Sequence, residues 1–240
     1  MARRPKRMRS YSPRTSGRRS MANHSGQTFS DALKQANAEN WNAARQHRFV
    51  EEIFAGSVPA DIMRRYLTQD YQFIDGFVAL LGMAIATADR YESRIRFAQF
   101  AAMITSDENT YFQRGFDALG VAEAERRQPA IAAPTARFQA LMREAAQTRD
   151  YACCLAVLTV AEWLYLDWAD RPGAVLPTDF IHAEWITLHN NDGFRAFVIW
   201  LRGELDRAGA DADETGRAAA ASLFGRAVAL ERAFFDHIYL

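Results

Sequence analysis

Cysteine is nearly absent from this chain: Cys153 and Cys154 are the only two among 240 residues, and they are adjacent. Neighbouring cysteines rarely form a relaxed disulfide, so we expect no disulfide framework, and a reducing compartment suits the protein. Nothing near the pair supplies further ligands at the spacing of a zinc site. We therefore interpret both cysteines as small apolar residues within a helix.

Long apolar runs and strand-like patterns are also lacking. No stretch reaches the roughly 20 consecutive apolar residues of a membrane-spanning helix, and no useful length of sequence alternates polar and apolar residues. Yet 49% of the residues are hydrophobic, enough for a sizeable core. We predict a cytoplasmic, predominantly helical protein that does not enter a membrane.

Acidic residues are missing from the first 20 positions, which hold eight arginines and lysines. The rest of the chain is left with 21 basic and 29 acidic residues, a net charge of about −8. An acidic body makes nucleic-acid binding through the fold improbable. We interpret residues 1–28 as a basic, disordered leader. An organellar transit peptide or a nucleic-acid-binding tail are the alternatives.

Apolar residues recur at helical spacing along most of the remaining chain. The pattern predicts one all-α domain of seven to nine helices over residues 29–240. We place helices at about 30–55, from Ser57 onward, 91–118, 135–147, 150–170, from Thr178 to His189, after Gly193, and after the Gly/Asp stretch 209–213.

An acidic residue among aromatic rings marks the most apolar of these helices. Glu162 precedes Trp163 and shares a helix face with Tyr165. A buried Glu is costly unless it is paired, hydrogen-bonded or protonated. The last helix repeats the pattern with Glu231, Phe234 and Phe235. The two glutamates suggest an acid/base pair that faces a flat heterocycle.

Two further pairs combine a polar group with a ring: Asp70 with Phe73, and Trp185 with His189. Together with the glutamates they have the composition of a small-molecule pocket, if the fold brings them together. Each residue also has a purely structural interpretation. Glu231 could be a salt-bridged core edge, Tyr165 an ordinary core tyrosine, and His189 a cation at a helix C-terminus.

A longer ordered set of residues carries a resemblance to a known family. The set consists of Pro59, Tyr66, Gln69-Asp70-Tyr71, Glu108, Pro134-Thr135, residues 151–168, Glu184-Trp185-Ile186, Glu231, Phe234, Phe235 and Tyr239. From about Phe29 to Leu240 the chain resembles the TenA/thiaminase II proteins of thiamin metabolism. The resemblance implies a haem-oxygenase-like helical bundle without haem or other cofactor. It also implies hydrolysis of thiamin-derived pyrimidines to hydroxymethyl pyrimidine for salvage, and we expect a homo-oligomer, a dimer or tetramer.

One departure from the family pattern selects a branch of it. Better-known members carry a nucleophilic cysteine four residues before the tyrosine that matches Tyr165, and here that position is Ala161. His189 similarly stands where the cysteine type has tyrosine. Cys154 lies about 10 Å away along the helix axis, too far to replace the thiol. The chain thus resembles the glutamate-type branch, which implies formylaminopyrimidine and aminopyrimidine as substrates.

The resemblance and the chemistry together give each candidate residue a role. Glu162 and Glu231 are the predicted catalytic pair: one activates water, and the other protonates the departing nitrogen. The sequence does not assign the two roles. Asp70 is predicted to bind the ring amidine, and the rings of three residues to wall the heterocycle. The predicted substrate-binding set is Asp70, Phe73, Tyr165, Trp163, His189, Glu108 and Phe234.

Two other function classes remain open at this stage. A metal-dependent or cofactor-free oxidase could use the same fold, but a di-iron site normally needs Glu-x-x-His on two helices. Here Tyr111 follows Glu108 by three residues, and Tyr165 follows Glu162. We therefore predict no metal. The second alternative is a non-catalytic binding or regulatory protein, suggested by the basic leader and the missing cysteine.

Overall fold

The computed structural model describes residues 26–240, so the predicted leader over residues 1–28 lies almost entirely outside them. Within this range the chain forms α-helices and no strand, which confirms the predicted all-α class. The helices are α1 Phe29–Ala36, α2 Ala38–Arg45, α3 Arg48–Ala55, α4 Ala60–Asp70, α5 Phe73–Thr87, α6 Tyr91–Met103, α7 Asn109–Ala118, α8 Glu123–Arg127, α9 Ala133–Thr148, α10 Tyr151–Ala169, α11 Phe180–Leu188, α12 Asp192–Asp211 and α13 Glu214–His237.

Helix α10 is the centre of the bundle. It packs against α2, α5, α9, α12 and α13, and 16 of its 19 residues are buried. Its first turn is capped by Asp150, whose carboxylate accepts a 2.8 Å hydrogen bond from the amide of Cys153. A helix that is apolar on every side belongs in the interior of a fold. By length and composition α10 could cross a membrane, but 83% of that window is buried inside the protein, as in the core helix of a globular domain.

Two of the predicted long helices are divided by polar side chains. The segment predicted as one helix over 30–55 forms α1, α2 and α3, with breaks at Asn37 and at Gln46–His47. The Asn37 amide donates to the carbonyl of Leu33, and the His47 ring accepts from the amide of Phe49. Such side-chain bonds to the backbone compete with helix continuation.

The second division separates α4 from α5 at Tyr71 and Gln72. The Gln72 amide donates to the carbonyls of Thr68 and Arg126, at 3.3 and 3.1 Å, which ties the break to α8. Asp70 ends one helix and Phe73 begins the next. The break therefore fixes the position of both candidate site residues.

Helices α6 and α7 are joined by a π-helical turn, Ile104–Glu108. Around it, the hydroxyls of Thr105, Ser106 and Thr110 each donate a 2.8 Å bond to a carbonyl four residues earlier. π-helical turns within α-helices are rare and frequently occur at functional sites. This turn ends at Glu108, one of the predicted site residues.

Candidate active site

One cavity collects side chains from six helices and from the π-helical turn. The volume of the cavity is about 80 Å³. At roughly 10–15 Å³ per water, it has room for about five to eight waters or one small ring. The lining residues are Asp70, Phe73, Ile74, Phe77, Ile104, Glu108, Phe138, Met142, Ala161, Glu162, Tyr165, Trp185, His189 and Glu231.

Seven of the nine predicted site residues line this cavity: Asp70, Phe73, Glu108, Glu162, Tyr165, His189 and Glu231. They come from six separate segments of the chain. The fold thus brings together residues that the sequence could only place on separate helix faces. Their roles in binding and catalysis stay predictions.

Trp163 lies outside the cavity, which corrects its predicted role as a wall of the heterocycle. It follows Glu162 by one residue and therefore points about 100° away around the helix. Its ring packs edge-on against Trp41, with a centroid separation of 5.0 Å. The guanidinium carbon of Arg202 lies 3.7 Å from the Trp163 ring centroid. Trp163 is therefore a structural residue.

Phe234 also falls outside the lining, but it supports a residue that belongs to it. Its ring is buried and lies 5.1 Å from the ring of Phe73 and 5.5 Å from that of Tyr66. Phe234 therefore packs behind Phe73. The prediction that Phe234 faces the heterocycle directly is wrong. Phe138 and Met142 of α9 line the cavity in its place. Their helical spacing marks an apolar face, and nothing in the sequence distinguishes a ligand wall from core.

Asp70 is positioned by two tyrosines. The hydroxyl of Tyr165 donates to Oδ1 of Asp70 at 3.4 Å and lies 2.9 Å from the hydroxyl of Tyr66. Desolvation, followed by the charge of Glu108, raises the pKa of Asp70 well above its usual value despite these hydrogen bonds. Burial also raises the pKa values of Tyr66 and Tyr165, so both phenols keep their protons.

The two predicted catalytic glutamates are buried without a balancing charge. Desolvation, then the charges of Glu108, Glu231 and Asp70, raises the pKa of Glu162 well above its usual value. Desolvation and Asp70 raise the pKa of Glu231 in the same direction. No Lys or Arg belongs to the lining. A site of this kind holds protons at neutral pH and suits acid/base chemistry.

His189 is a neutral member of the lining. It is the C-cap residue of α11, and its Nδ1 lies 2.8 Å from the carbonyl oxygen of Trp185. Because a carbonyl only accepts, Nδ1 carries the proton, and Nε2 is left as an acceptor. Burial lowers the pKa of His189 to about 4 against this hydrogen bond. The alternative of a helix-terminal cation is therefore wrong, although the cap position is right.

A family model described as the TENA/THI-4/PQQC family matches residues 34–240. The chain belongs to this family. This confirms the resemblance inferred from the ordered motif set, and it covers every residue of the cavity lining.

Two curated relatives share most of the chain. An aminopyrimidine aminohydrolase from Bacillus subtilis is 25% identical over 190 residues, which cover 79% of this chain and 80% of that one. An aminopyrimidine aminohydrolase from Halalkalibacterium halodurans is 23% identical over 217 residues, covering 88% and 96%.

Solved structures support the fold. A TenA homologue from Pyrococcus furiosus superposes with a TM-score of 0.78 at 18% identity, covering 88% of this chain and 100% of that one. A heme oxygenase-1 from Synechocystis, solved with heme, gives a TM-score of 0.52 at 13% identity and covers 88% and 91%. At these identities the likeness shows the fold alone, and it confirms the predicted haem-oxygenase-like bundle.

Ala161, which the sequence resemblance aligns with a nucleophilic cysteine, lines the cavity. The two cysteines cannot replace it. Burial raises the pKa values of Cys153 and Cys154 to about 12, which keeps both thiols protonated. The Cys154 thiol donates to the carbonyl of Ala145, and neither cysteine belongs to the lining. Thiolate chemistry therefore has no source at this site.

The cavity does not suit a metal centre or haem. Among residues 26–240, no three His, Cys, Asp or Glu side chains converge in a geometry that would hold a metal ion. Tyr111 and Tyr165 occupy the positions where a di-iron site would need histidines. The cavity is too small for a porphyrin. The ring of His189 also packs edge-on against Trp185.

Proposed function

We propose that this chain hydrolyses thiamin-derived pyrimidines, formylaminopyrimidine and aminopyrimidine, to hydroxymethyl pyrimidine for thiamin salvage. Two relatives that share most of its length carry the name aminopyrimidine aminohydrolase. The observation that carries the proposal is the cavity itself, which has room for one small ring and is lined by four carboxyl groups, with alanine at the nucleophile position.

Asp70 is the anchor for the ring. A carboxyl group and a 4-aminopyrimidine edge share one proton and form two parallel hydrogen bonds. The raised pKa of Asp70 keeps that proton available in the free protein, so binding needs no proton from solvent. Phe73 and Phe138 supply apolar walls on which the ring packs.

Glu162 and Glu231 divide the chemistry in this proposal. Desolvation raises the pKa of both residues, and the charges of Glu108, Glu231 and Asp70 add to this at Glu162, whereas only Asp70 does so at Glu231. We assign the acid to Glu162 on this difference in surroundings. Glu231 accepts a proton from the attacking water. With aminopyrimidine, the water oxygen bonds to the methylene carbon, the carbon–nitrogen bond breaks, and its electron pair leaves with the nitrogen. Formylaminopyrimidine first loses its formyl group: a water oxygen bonds to the formyl carbon, the bond from that carbon to nitrogen breaks, formate is released, and aminopyrimidine remains for the second hydrolysis. Glu162 supplies the proton to a nitrogen that is bound neutral, and a nitrogen bound as ammonium leaves as ammonia without one.

The surroundings of the protein are part of the proposal. Two free, buried thiols suit the reducing cytoplasm, where we place the reaction. We also propose a homo-oligomer. Large apolar side chains are exposed on the outer faces of α6 and α12: Tyr91, Ile95, Met103 and Ile199. Sedimentation of the purified chain would show a dimer or tetramer, and a monomer at working concentration would contradict this part.

A panel of thiamin breakdown products tests the proposed function. We expect release of formate or ammonia from formylaminopyrimidine and aminopyrimidine, and little cleavage of thiamin, because Ala161 removes the covalent route. Robust thiamin cleavage without turnover of either pyrimidine would contradict the proposal. The released hydroxymethyl pyrimidine can be identified by mass.

A further inference from the structure

We propose that Glu108 is the counter-ion for positive charge on the exocyclic nitrogen of the substrate, and that it makes the cavity select amines against phosphate esters of the same ring. This rests on the proposed function for the identity of the ring. It adds a second recognition point to the Asp70 anchor.

Glu108 shares the cavity with the other groups that this role requires. It lines the same cavity as Asp70 and Glu162. After desolvation, the charge of Glu108 is the next cause that raises the pKa of Asp70 and of Glu162. An exocyclic nitrogen on a ring held by Asp70, with its leaving side toward Glu162, would therefore meet Glu108.

The backbone around Glu108 is held in an unusual conformation. The residue ends the π-helical turn Ile104–Glu108, and Ile104 lines the cavity one turn earlier. The hydroxyls of Thr105 and Ser106 donate to the carbonyls of Ala101 and Ala102, which this wide turn leaves less regularly bonded. These bonds stabilise the turn from the solvent side, while Glu108 faces inward.

Glu108 has no protein partner of its own. Among residues 26–240, no side chain or backbone amide donates to its carboxylate, and no Lys or Arg belongs to the lining. Desolvation alone raises its pKa to about 7. An unpaired carboxylate in a cavity costs free energy. An ammonium group on the ligand supplies the missing partner.

The groups that face Glu108 reinforce this preference. They are Asp70 of α4, Glu162 and Tyr165 of α10, His189 after α11, and Glu231 of α13. Each is acidic or neutral near pH 7, because His189 titrates only at about pH 4. A phosphate ester would bring negative charge beside Glu108 into a cavity whose lining includes no Lys or Arg to pair with it, which is unfavourable. A hydroxymethyl group carries no charge, so the product forms no ion pair with Glu108 and is released more easily.

Calorimetric titration of two ligands separates this role from ring binding. Aminomethyl pyrimidine and hydroxymethyl pyrimidine are compared in the Glu231→Gln background, which blocks turnover. Adding Glu108→Gln should weaken binding of the amine by roughly 10- to 150-fold, the range of one charge-assisted hydrogen bond. Binding of the alcohol should change by less than about twofold. Glu184→Gln is the matched control, because Glu184 pairs with Arg114 on the surface, and it should alter neither affinity.

A third ligand and a change of pH complete the test. The phosphate ester of hydroxymethyl pyrimidine should bind much more weakly than the free alcohol. In the Glu231→Gln protein with Glu108 intact, the ratio of amine affinity to alcohol affinity should rise from pH 6 to pH 8 as Glu108 ionises. Adding Glu108→Gln should abolish that rise. Glu108→Ala is a second variant in case the glutamine keeps a polar contact.

The contrary outcomes are distinct. If Glu108→Gln weakens both ligands equally, or neither, Glu108 is not the counter-ion, and the proposed function is untouched. Tight binding of the phosphate ester would also overturn the selection that we propose. If neither pyrimidine binds in the Glu231→Gln background or to the wild type, the proposed function fails, and this inference fails with it.

Discussion

The hydroxyl oxygens of Tyr66 and Tyr165 lie 2.9 Å apart, although 99 positions separate the two residues in the sequence. The contact joins α4 to the central helix α10 at the place where Asp70 enters the cavity. Tyr165 donates on to Asp70 at 3.4 Å. Two neutral phenols therefore orient the carboxyl group of Asp70 without supplying a positive charge. A cationic or hydrogen-bonding group of a ligand can still pair with that carboxyl group.

Asp70→Asn should weaken binding of hydroxymethyl pyrimidine by about 10-fold or more. The amide can still form two neutral hydrogen bonds with the ring edge, but the charge-assisted contribution, about 1.5–3 kcal/mol in total, is lost. Calorimetric titration measures the change. Tyr239→Phe is the control, since the Tyr239 hydroxyl donates to Glu52 instead of the cavity. Equal affinity for wild type and Asp70→Asn would place the ring elsewhere.

Glu162→Gln and Glu231→Gln should each reduce the turnover rate by ~10²–10⁴-fold, because both keep the size of the side chain and remove proton transfer. Product affinity should change little by comparison. Steady-state assays with aminopyrimidine measure the rate, and Glu144→Gln, at the surface pair with Arg226, is the control. A variant that keeps near-full activity would show that its residue is structural.

Ala161→Cys should make the enzyme sensitive to thiol-alkylating reagents. The wild type should resist them, because Cys153 and Cys154 are buried and their pKa values are about 12. Position 161 opens into the cavity, so a thiol there is accessible and blocks the site when it is modified. Activity after alkylation, with mass spectrometry of the adduct, gives the result. Inactivation of wild type at the same rate as the variant would contradict the inert state of the two native cysteines.

Glu108→Gln should stabilise the fold at alkaline pH. The folded pKa of Glu108 is about 7, above its usual value of 4.5. Its contribution to stability is therefore full below pH 4.5 and is lost as the pH rises through 7. Removing the charge should raise the free energy of unfolding at pH 8 by up to about 3 kcal/mol, and by little at pH 4.5. Urea denaturation at both pH values measures this; a pH-independent difference would contradict it.

The carboxyl groups of the site could be predicted from sequence because acids are conspicuous on apolar helices. Glu162, Glu231 and Asp70 each interrupt an apolar pattern beside a ring, and the structure places all three on one cavity. The sequence did not show that Trp163, unlike these acids, lies outside the cavity. Helix α10 is buried on nearly every side, so its pattern does not reveal which face borders the cavity.

Helix boundaries were less predictable for a different reason. The breaks at Asn37 and Gln72 depend on hydrogen bonds to the backbone, and one of those made by Gln72 reaches Arg126, 54 positions away. Hydrophobic periodicity carries no information about such contacts. The π-helical turn before Asn109 left only a weak trace, the hydroxyl residues Thr105, Ser106 and Thr110, which are also ordinary on a solvent-facing helix.

The enclosure of α10 has a consequence for how such an enzyme can diversify. Ala161 borders the cavity with a small side chain, whereas Val160, Trp163 and Leu164 on the same helix are buried and do not line it. A lineage can therefore exchange one reaction route for another by altering a single small side chain, without rebuilding the scaffold. Two residues further along, at Trp163, replacement by a small side chain would leave a void and destabilise the bundle. The two faces of α10 thus differ in the substitutions that they tolerate: a cavity-lining position can change its side chain, and a packed position cannot without a loss of stability.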